Sequence, residues 1–326
     1  MWVRGIYVDD RWSGQHGIGR YAREVTARLN VAWQPMRLSG SPSSATDFFR
    51  PLPAHMRQGV IYSPGYNSFV RAKRQLVTVL DLIHLRSSWP GRLKYEAYYK
   101  GVLRPIVRRE GVVITISETS KREIEEWLND SDVRVVNAGI GLSSGYGPHV
   151  PEPDQGAPYA ITVSNMREHK NVDVVLRAFK TVHDLRLKLV VPTTEREAAA
   201  KRMAFHGVQG RVDLLSQVDD ENLAMLYKGA RVTVFPSILE GFGLPALESL
   251  ACGTPVVYYA GCDAVRETVG TSGIAVSSAD DHMQWREAIV NAASGHIAVG
   301  DIRERYSYDR TAATISAVLR EVADAE

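Results

Sequence analysis

Two glutamates flank a glycine-rich turn in the second half of this 326-residue chain. Glu240 precedes the turn and Glu248 follows it, with seven residues between them. Carboxylates accept hydrogen bonds from sugar hydroxyls and from the vicinal diol of a ribose, and glycines let a ligand approach the backbone closely. The pair therefore predicts a sugar-nucleotide site, whose expected donor-binding residues are Gly241, Phe242, Gly243, Leu244 and Glu248.

The elements around this turn favour the same interpretation. The apolar run VTVF predicts a strand, and residues 245–252 predict a helix with proline in its first turn and Gly253 just after its end. The turn would then lie at the carboxyl end of a parallel strand and at a helix N-terminus, where anions bind. Two plainer roles stay open, because Glu248 could simply favour the helix dipole and Glu240 could be a solvated loop residue.

Predicted strands and helices alternate along the whole chain, which indicates parallel sheets covered on both faces. A stretch rich in Gly, Pro and Ser at residues 142–158 predicts a linker, so we expect two doubly wound α/β domains. Their expected bounds are 1–150 and 151–305, with a closing helix at 306–326 that packs back toward the first domain. The spacing of SKRE, Ser120–Glu123, predicts a capping box that opens a helix.

Composition excludes several classes of protein. Cys252 and Cys262 are too few for a disulfide framework or a zinc cluster, and no run of about 18 apolar residues predicts a membrane span. The N-terminus lacks a basic-then-apolar leader, so the expected location is the cytoplasm. Residues 1–150 carry 21 Lys and Arg against 13 Asp and Glu, whereas the remainder carries 18 against 24, which suggests different partners for the two halves.

The stretch PSILEGFGLPALESLACGTPVV resembles the signature of glycosyltransferase family 4, retaining enzymes of the GT-B fold with a Glu-x7-Glu motif. GIGRYAREV and VSNMREHKNVDVVLRAF resemble further family segments, so the resemblance covers almost the whole chain. It implies two Rossmann-like domains facing a central cleft, with Glu248 on the nucleotide ribose and Glu240 on the donor sugar. The implied reaction moves a hexose from a nucleotide diphosphate sugar to a glycan or lipid-linked acceptor, and the HKN loop favours GDP-mannose.

Breaking a sugar–phosphate bond builds negative charge on the departing diphosphate, which fixed cations stabilise. Arg167 and Lys170 follow the predicted strand YAITVS, and the resemblance implies that they bind the diphosphate as catalytic residues beside Glu240. Many family members carry an arginine where this chain has Asn165, so Arg167 is the expected substitute. Without the glutamate motif, an ordinary charged surface loop would explain both cations.

An earlier glycine loop supports a competing interpretation. Gly17 and Gly19, with Ala22, approximate the dinucleotide fingerprint of nicotinamide oxidoreductases. Residues 9–16 separate these glycines from the first strand, whereas the dinucleotide fold places them directly after it, so we rank this interpretation well below sugar transfer. Under the resemblance, Gly17 and Gly19 approach the donor phosphates and His16 faces the cleft, although His16 could equally be solvated.

Asp81 and His84 are the expected residues of the acceptor or sugar side. Many family members have histidine where this chain has Leu80, and that histidine usually lies near the C6 hydroxyl of the donor sugar. Leu80 cannot form this hydrogen bond, so either His84 replaces it or the sugar is a 6-deoxyhexose. A structural cap is an equally good explanation of Asp81.

A basic helix is predicted over residues 91–111. Its charged residues at i,i+4 spacing are Arg92, Glu96, Lys100, Arg104 and Arg108, and its apolar face carries Tyr95, Tyr99, Val102 and Ile106. The charged stripe is either solvated or contacts an anionic membrane or the phosphate of a lipid-linked acceptor, which would place the protein peripherally at the inner membrane face. Pro105 should kink this helix. Nucleic acid is not expected, because no stacking platform or binding motif accompanies the basic residues.

The sequence predicts neither a metal nor an organic cofactor. Asp130 and Asp132 imitate the metal-binding Asp-x-Asp of another glycosyltransferase fold, but turn chemistry explains them. Two alternatives to transfer stay open on the GT-B fold: a sugar-nucleotide epimerase and a non-catalytic sugar-nucleotide-binding protein.

Overall fold

The computed structural model describes residues 5–14, 17–44, 46–87, 89–152, 156–295, 297–300 and 302–325. The chain divides into two units. Unit 1 comprises Met1–Gly141 and Arg305–Glu326, and unit 2 comprises Leu142–Glu304. Most of the stretch predicted as a linker belongs to the packed body of unit 2, because Tyr146 and Val150 are buried in its core.

Unit 1 is built on parallel strands. Its described strands are β1 Ile6–Val8, β2 Trp33–Pro35, β3 Val60–Ser63, β4 Arg74–Val77, β5 Val112–Thr115 and β6 Arg134–Asn137. They pair in the orders β2-β1-β3-β4 and β5-β6, and a parallel bridge between Thr78 and Ile114 links the two sheets. Its described helices before residue 141 are α1 Ile18–Thr26, α2 Ala54–Gln58, α3 Ile83–Arg86, α4 Arg92–Tyr98, α5 Arg104–Glu110 and α6 Glu118–Leu128.

The predicted basic helix is interrupted just before its proline. A π-helical segment, Tyr99–Leu103, separates α4 from α5, and Pro105 lies in the first turn of α5. Proline donates no backbone hydrogen bond, and its ring clashes with the carbonyl four residues earlier, so a regular α-helix cannot run through this point. The wider turn accommodates the proline at the place where a kink was predicted.

The predicted capping box at Ser120–Glu123 is wrong. Helix α6 begins at Glu118, and the Oγ of Ser117 accepts a hydrogen bond from the N–H of Ser120 at 2.9 Å. Ser117 has the extended backbone conformation that an N-cap requires, whereas Ser120 lies inside the first turn. The cap therefore lies three residues earlier than the S-x-x-E spacing indicated.

Unit 2 carries a single described parallel sheet. Its strands are β7 Tyr159–Val163, β8 Arg186–Val190, β9 Val212–Leu215, β10 Val232–Phe235, β11 Val256–Tyr259 and β12 Gly273–Val276, in the order β12-β11-β10-β7-β8-β9. Its described helices are α7 Val172–Ala178, α8 Arg196–His206, α9 Asp220–Gly229, α10 Leu244–Ala251, α11 Asp263–Val269 and α12 His282–Ser294.

Each unit has one point where the strand order reverses. In unit 1 the reversal lies between β1 and β3, and in unit 2 it lies between β7 and β10. Ligands of open α/β sheets bind outside the carboxyl ends of the strands at such a switch point. The predicted doubly wound α/β architecture is confirmed, and these two switch points are where sites are expected.

The last helix, α13 Tyr308–Asp324, belongs to unit 1 although it follows unit 2 in the sequence. It packs against α1, β3 and β4, and its Ser316 Oγ accepts a hydrogen bond from the N–H of Asn30 at 3.1 Å. Nowhere in the described part of the chain does a helix have the length and apolar character needed to cross a membrane.

Candidate functional site

Two loops meet at the switch point of unit 2. One follows β7 and contains Arg167 and Lys170, and the other follows β10 and contains Glu240. The carbonyl of His169 in the first loop accepts a hydrogen bond from the N–H of Ile238 in the second at 2.8 Å. Both predicted motifs of the donor site are therefore brought together at one edge of one sheet.

Asparagines shape the loop after β7. The Oδ1 of Asn165 accepts a hydrogen bond from the N–H of Arg167 at 3.2 Å, and a 3-10 turn, Glu168–Lys170, follows. Asn171 then has a left-handed backbone with φ of 49°, a conformation that asparagine tolerates well, and its Nδ2 donates to the carbonyl of Ala279 at 2.8 Å. Lys170 therefore lies immediately before a residue whose left-handed backbone is held in place by a side-chain hydrogen bond.

Lys170 and Glu240 form an ion pair. Lys170 Nζ lies 2.5 Å from Glu240 Oε1, and the two side chains are only 18% and 11% exposed. The sequence predicted that one of these residues binds a diphosphate and the other a sugar hydroxyl, and the structure pairs them with each other. A partly desolvated cation and anion thus lie within hydrogen-bonding distance at the carboxyl edge of neighbouring strands.

Arg167 differs from Lys170 in having no such partner. Its side chain is exposed, and its guanidinium forms no hydrogen bond or ion pair with another described residue. Between the two cations, partial burial and then the charge of Lys170 lower the pKa of His169, so that imidazole is neutral at pH 7. The loop therefore presents two basic side chains, of which only Lys170 is paired with a described residue.

Helix α10 begins at the predicted glycine turn. Gly243 is its N-cap with φ of 93°, where a side chain would be strained and its Cβ would lie 3.2 Å from Val265 Cγ2. Pro245 occupies the first turn as predicted, and Gly253 with φ of 86° follows the C-terminus. The carbonyl of Phe242 accepts a hydrogen bond from Thr268 Oγ1 at 2.9 Å, which fixes the turn.

Glu248 lies in the second turn of α10 and is only 6% exposed. The next residue, Ser249, anchors the helix: its Oγ donates to the carbonyl of Thr254 at 2.9 Å and lies within hydrogen-bonding distance of Thr233 Oγ1 of β10 at 2.7 Å. Carboxylates are almost never this buried unless they are paired.

A cysteine also lies near this loop. Burial raises the pKa of Cys262 to about 12, so its thiol is not a nucleophile at neutral pH.

The first glycine loop lies in unit 1. Gly17 is the N-cap of α1, and a Cβ on Gly19 would lie 2.5 Å from the carbonyl oxygen of Ser13, so Gly19 permits a close backbone contact. His16, predicted to face the cleft, lies outside the described residues. The proposed approach of Gly17 and Gly19 to donor phosphates stays a prediction.

Asp81 and His84 have structural surroundings in unit 1. Asp81 Oδ1 accepts a hydrogen bond from the N–H of Ile83 at 3.0 Å at the start of α3, as the capping alternative requires. His84 lies among the rings of Tyr66, Tyr95 and Tyr99, and burial lowers its pKa to about 4. Its Nε2 is buried and has no hydrogen-bond partner within the described chain. Roles of Asp81 and His84 toward a sugar stay predictions.

A buried ionic network occupies the switch point of unit 1, and sequence reasoning missed it. Arg11 bridges two buried carboxylates, with Nη2 2.6 Å from Asp9 Oδ2 and 2.6 Å from Asp47 Oδ2. Asn67 Nδ2 also donates to Asp9 Oδ2 at 2.7 Å. Burial alone would raise the pKa of Asp47, but hydrogen bonds from Arg11 and Arg50 outweigh it and lower the pKa. The charged residues directly after β1 are the feature of the sequence that could have indicated this network.

Part of the charged stripe on the basic helix is used within unit 1. Arg104 and Arg108 donate to the carbonyl of Leu128 at the end of α6, and Arg108 also pairs with Asp130 at 2.9 Å. Asp130 Oδ1 accepts a hydrogen bond from the N–H of Asp132 at 3.2 Å, which is turn chemistry. These two arginines stabilise a helix C-terminus, so the membrane contact rests on the remaining basic residues.

Comparisons with known proteins agree with this geometry. The family described as glycosyl transferases group 1 matches residues 149–305. The chain is 30% identical over 203 residues to O-antigen chain mannosyltransferase B of Escherichia coli, covering 57% of this chain and 50% of that protein. It is 27% identical over 244 residues to O-antigen chain mannosyltransferase RfbU of Salmonella typhimurium, covering 73% of this chain and 67% of that protein.

The whole chain also resembles solved structures. The sucrose-phosphate synthase of Thermosynechococcus elongatus superposes with a TM-score of 0.71 at 18% identity, covering 98% of this chain and 99% of that one. This likeness shows the fold, while the matched sequence segment contains Arg167, Lys170, Glu240 and Glu248. Residues 149–305 are therefore similar to group 1 glycosyl transferases, and the chain as a whole has the GT-B fold that the resemblance implied.

Proposed function

We propose that this protein is a retaining glycosyltransferase that moves a hexose from a nucleotide diphosphate sugar to a glycan or lipid-linked acceptor, without a metal. One observation carries the proposal: Arg167, Lys170, Glu240 and the start of α10 converge on the switch point of unit 2. Cations and a helix N-terminus bind a diphosphate, and a neighbouring carboxylate binds sugar hydroxyls. The chain spans half to two thirds of the two mannosyltransferases described above, so the activity of the whole protein is part of the proposal.

In the proposed reaction, the bond between the anomeric carbon and the β-phosphate oxygen breaks. The acceptor hydroxyl oxygen forms the new bond to that carbon, and its proton passes to the departing phosphate. Lys170 and Arg167 stabilise the charge that grows on the diphosphate, and α10 adds the partial positive charge of its N-terminus. Glu248 holds the ribose, and Glu240 orients the sugar.

Donor binding exchanges the partners of the Lys170–Glu240 ion pair. Lys170 gains a diphosphate oxygen, and Glu240 gains one or two sugar hydroxyls. Because both side chains are mostly buried, either charge left in place without a partner would carry an uncompensated desolvation penalty. The pair therefore holds both groups in position near the places where the two halves of the donor bind.

Mannose is the favoured sugar, and guanine the favoured base. The HKN loop resembles mannosyl-transferring members of the family, and both relatives described above are named as mannosyltransferases. If instead Leu80 indicates a 6-deoxyhexose, turnover should be higher with a GDP-6-deoxyhexose than with GDP-mannose, and the opposite preference discards that idea. The cytoplasmic location and the peripheral membrane contact also stay predictions.

The test is acceptor-dependent release of GDP from GDP-mannose by the full chain, with an E240Q variant and a matched E168Q control. Glu168 is an exposed glutamate on the same loop as Lys170. We expect E240Q to lose at least about 100-fold in turnover, because an amide cannot accept charge-assisted hydrogen bonds from the sugar, and E168Q to lose little.

Three results would contradict the proposal. Equal turnover by E240Q and the unaltered protein would show that Glu240 does not bind the sugar. Conversion of the nucleotide sugar without acceptor would identify an epimerase, and donor binding without any turnover would identify a binding protein.

A further inference from the structure

Unit 1 contains a cavity beside its switch point. Its volume is about 290 Å³, close to the lower limit of about 300 Å³ for small-molecule pockets. Aromatic side chains from three parts of the chain form its walls: Phe48, Tyr66, Tyr95 and Tyr98. Ala97 and Val102 complete the apolar lining from the α4 side. None of the predicted donor or acceptor residues that the structure describes lines this cavity.

Most of the polar side chains that line the cavity already have hydrogen-bond partners within unit 1. The hydroxyls of Tyr66 and Tyr95 lie 3.0 Å apart, and the hydroxyl of Tyr98 donates to the carbonyl of Tyr66 at 2.9 Å. Asp47 accepts from Arg11 and Arg50, and Asn67 donates to Asp9. A sugar ring needs several free donors and acceptors, so this lining favours a hydrocarbon group over a carbohydrate.

The surroundings of the cavity add exposed apolar side chains and positive charge. Phe49, next to Phe48, is 63% exposed, and Leu93, next to Lys94, is 78% exposed. Lys94 itself lines the cavity. Such a combination of large exposed apolar side chains with basic ones is typical of proteins that contact amphiphilic anions. The cavity and Phe49, whose ring centroid lies 4.3 Å from that of Phe48, would receive a chain whose charged head lies beside Lys94.

We propose that this cavity binds the first part of the hydrocarbon chain of a prenyl or alkyl phosphate, the lipid portion of a lipid-linked acceptor. This inference rests on the proposed transfer function and specifies its acceptor. Lys94 binds the phosphate, Tyr66, Tyr95 and Tyr98 enclose the chain, and the Arg11 network holds the floor rigid through Asp47 and Asn67. The acceptor is thus held by its lipid end, and the sugar end is left to reach the transfer site.

Equilibrium binding of farnesyl phosphate to the full chain tests this site, with methyl α-mannoside and inorganic phosphate as separate probes. Ala97→Trp should fill the cavity and weaken farnesyl phosphate binding at least tenfold. Ala200→Trp, an equally exposed alanine on α8 of unit 2, should leave binding unchanged. Ser43→Trp places the same bulk on an exposed loop that lines the cavity, so it provides the test if A97W does not fold. Lys94→Met should weaken farnesyl phosphate binding about threefold and farnesol binding not at all.

The proposal is overturned if farnesyl phosphate does not bind, if A97W and S43W bind it as well as the unaltered chain does, or if methyl α-mannoside competes for the cavity. GDP release from GDP-mannose is measured in parallel. If GDP is released normally but farnesyl phosphate does not bind, only the proposal of a lipid site in the cavity is rejected. If farnesyl phosphate binds in the cavity but no GDP is released, only the proposed transfer function is rejected.

Discussion

The two units use the same topology for different purposes. Each has a parallel sheet whose strand order reverses once, and each places an arginine on a loop that follows a strand at this switch point. In unit 1, Arg11 is buried and shared between Asp9 and Asp47. In unit 2, Arg167 is exposed and its guanidinium has no partner among the described residues.

This difference separates a structural charge from a functional one. The buried Arg11 uses four of its five guanidinium N–H donors on the two carboxylates, so it has little capacity left for a ligand and fixes the backbone around it. An uncommitted arginine beside a helix N-terminus is available to an anion, although leaving it unpaired contributes nothing to stability. Unit 1 therefore offers a rigid edge with an apolar cavity, whereas unit 2 offers a charged edge suited to a diphosphate.

The largest effect is expected from Arg11→Met. Removing this guanidinium leaves Asp9 and Asp47 as buried carboxylates without their main partner, which should lower the free energy of unfolding by about 3–5 kcal/mol. Urea denaturation measures the change, and Arg57→Met on the exposed surface of α2 is the matched control. A loss no greater than that of the control would show that Arg11 is not structural and would break the comparison.

Lys170→Met should act on turnover, in addition to the stability that is lost when the mostly buried Glu240 loses its partner. It removes a cation from the position where the leaving diphosphate gains charge, so kcat should fall about 10²–10³-fold. Lys180→Met, on the exposed surface after α7, should leave kcat unchanged. If the two variants have equal kcat values, Lys170 is not part of the catalytic site.

His84 makes the interior of unit 1 sensitive to acid. Its pKa in the fold is about 4, below the ordinary value of about 6.5, so the unfolded chain binds a proton more readily than the fold does between these pH values. Its contribution to stability is complete above about pH 6.5 and is lost as the pH falls toward 4, by about 3 kcal/mol at most. Across this range, the unfolding free energy of the unaltered chain should fall relative to that of His84→Phe, which has no titratable group at this position.

The control for this pH effect is His149→Phe, since His149 is exposed in unit 2. This variant should follow the unaltered chain at every pH. A His84→Phe curve parallel to that of the unaltered chain between pH 4 and 6.5 would contradict the buried, neutral imidazole.

The smallest effects are expected from Arg167→Met, and they sharpen the comparison with Arg11. Losing one charge-assisted contact should weaken nucleoside diphosphate affinity about tenfold. The free energy of unfolding should change by less than about 0.5 kcal/mol, because the exposed guanidinium has no partner to lose. Thermal denaturation and calorimetric titration separate the two readouts, and a large loss of stability would mean that Arg167 has a structural role.

Local sequence signals predicted the donor-site elements well. Gly243, Pro245 and Gly253 each act on the backbone within one turn, so the start and end of α10 followed directly from their positions. The capping box failed because two serines, Ser117 and Ser120, compete at the same helix start. Only the backbone conformation that follows β5 decides between them.

Contacts between distant residues could not be predicted from the sequence. Lys170 and Glu240 are 70 positions apart, and Arg11 and Asp47 are 36 apart, so both pairs exist only because parallel strands bring separate loops to one edge. The aromatic cavity has the same origin, since its tyrosines come from a loop and a helix. The types of these residues were informative, but their partners depended on strand order.

The central claim is that a nucleoside diphosphate binds at the switch point of unit 2 with its β-phosphate on Lys170. The most direct test is calorimetric titration of the unaltered chain and of Lys170→Met with nucleoside diphosphates. GDP, UDP, dTDP and ADP are each titrated, and the corresponding monophosphates are titrated separately. We predict that one diphosphate binds the unaltered chain, that Lys170→Met weakens it at least tenfold, and that its monophosphate binds both proteins equally. Equal affinity of that diphosphate for both proteins, or equal losses for diphosphate and monophosphate, would contradict the account.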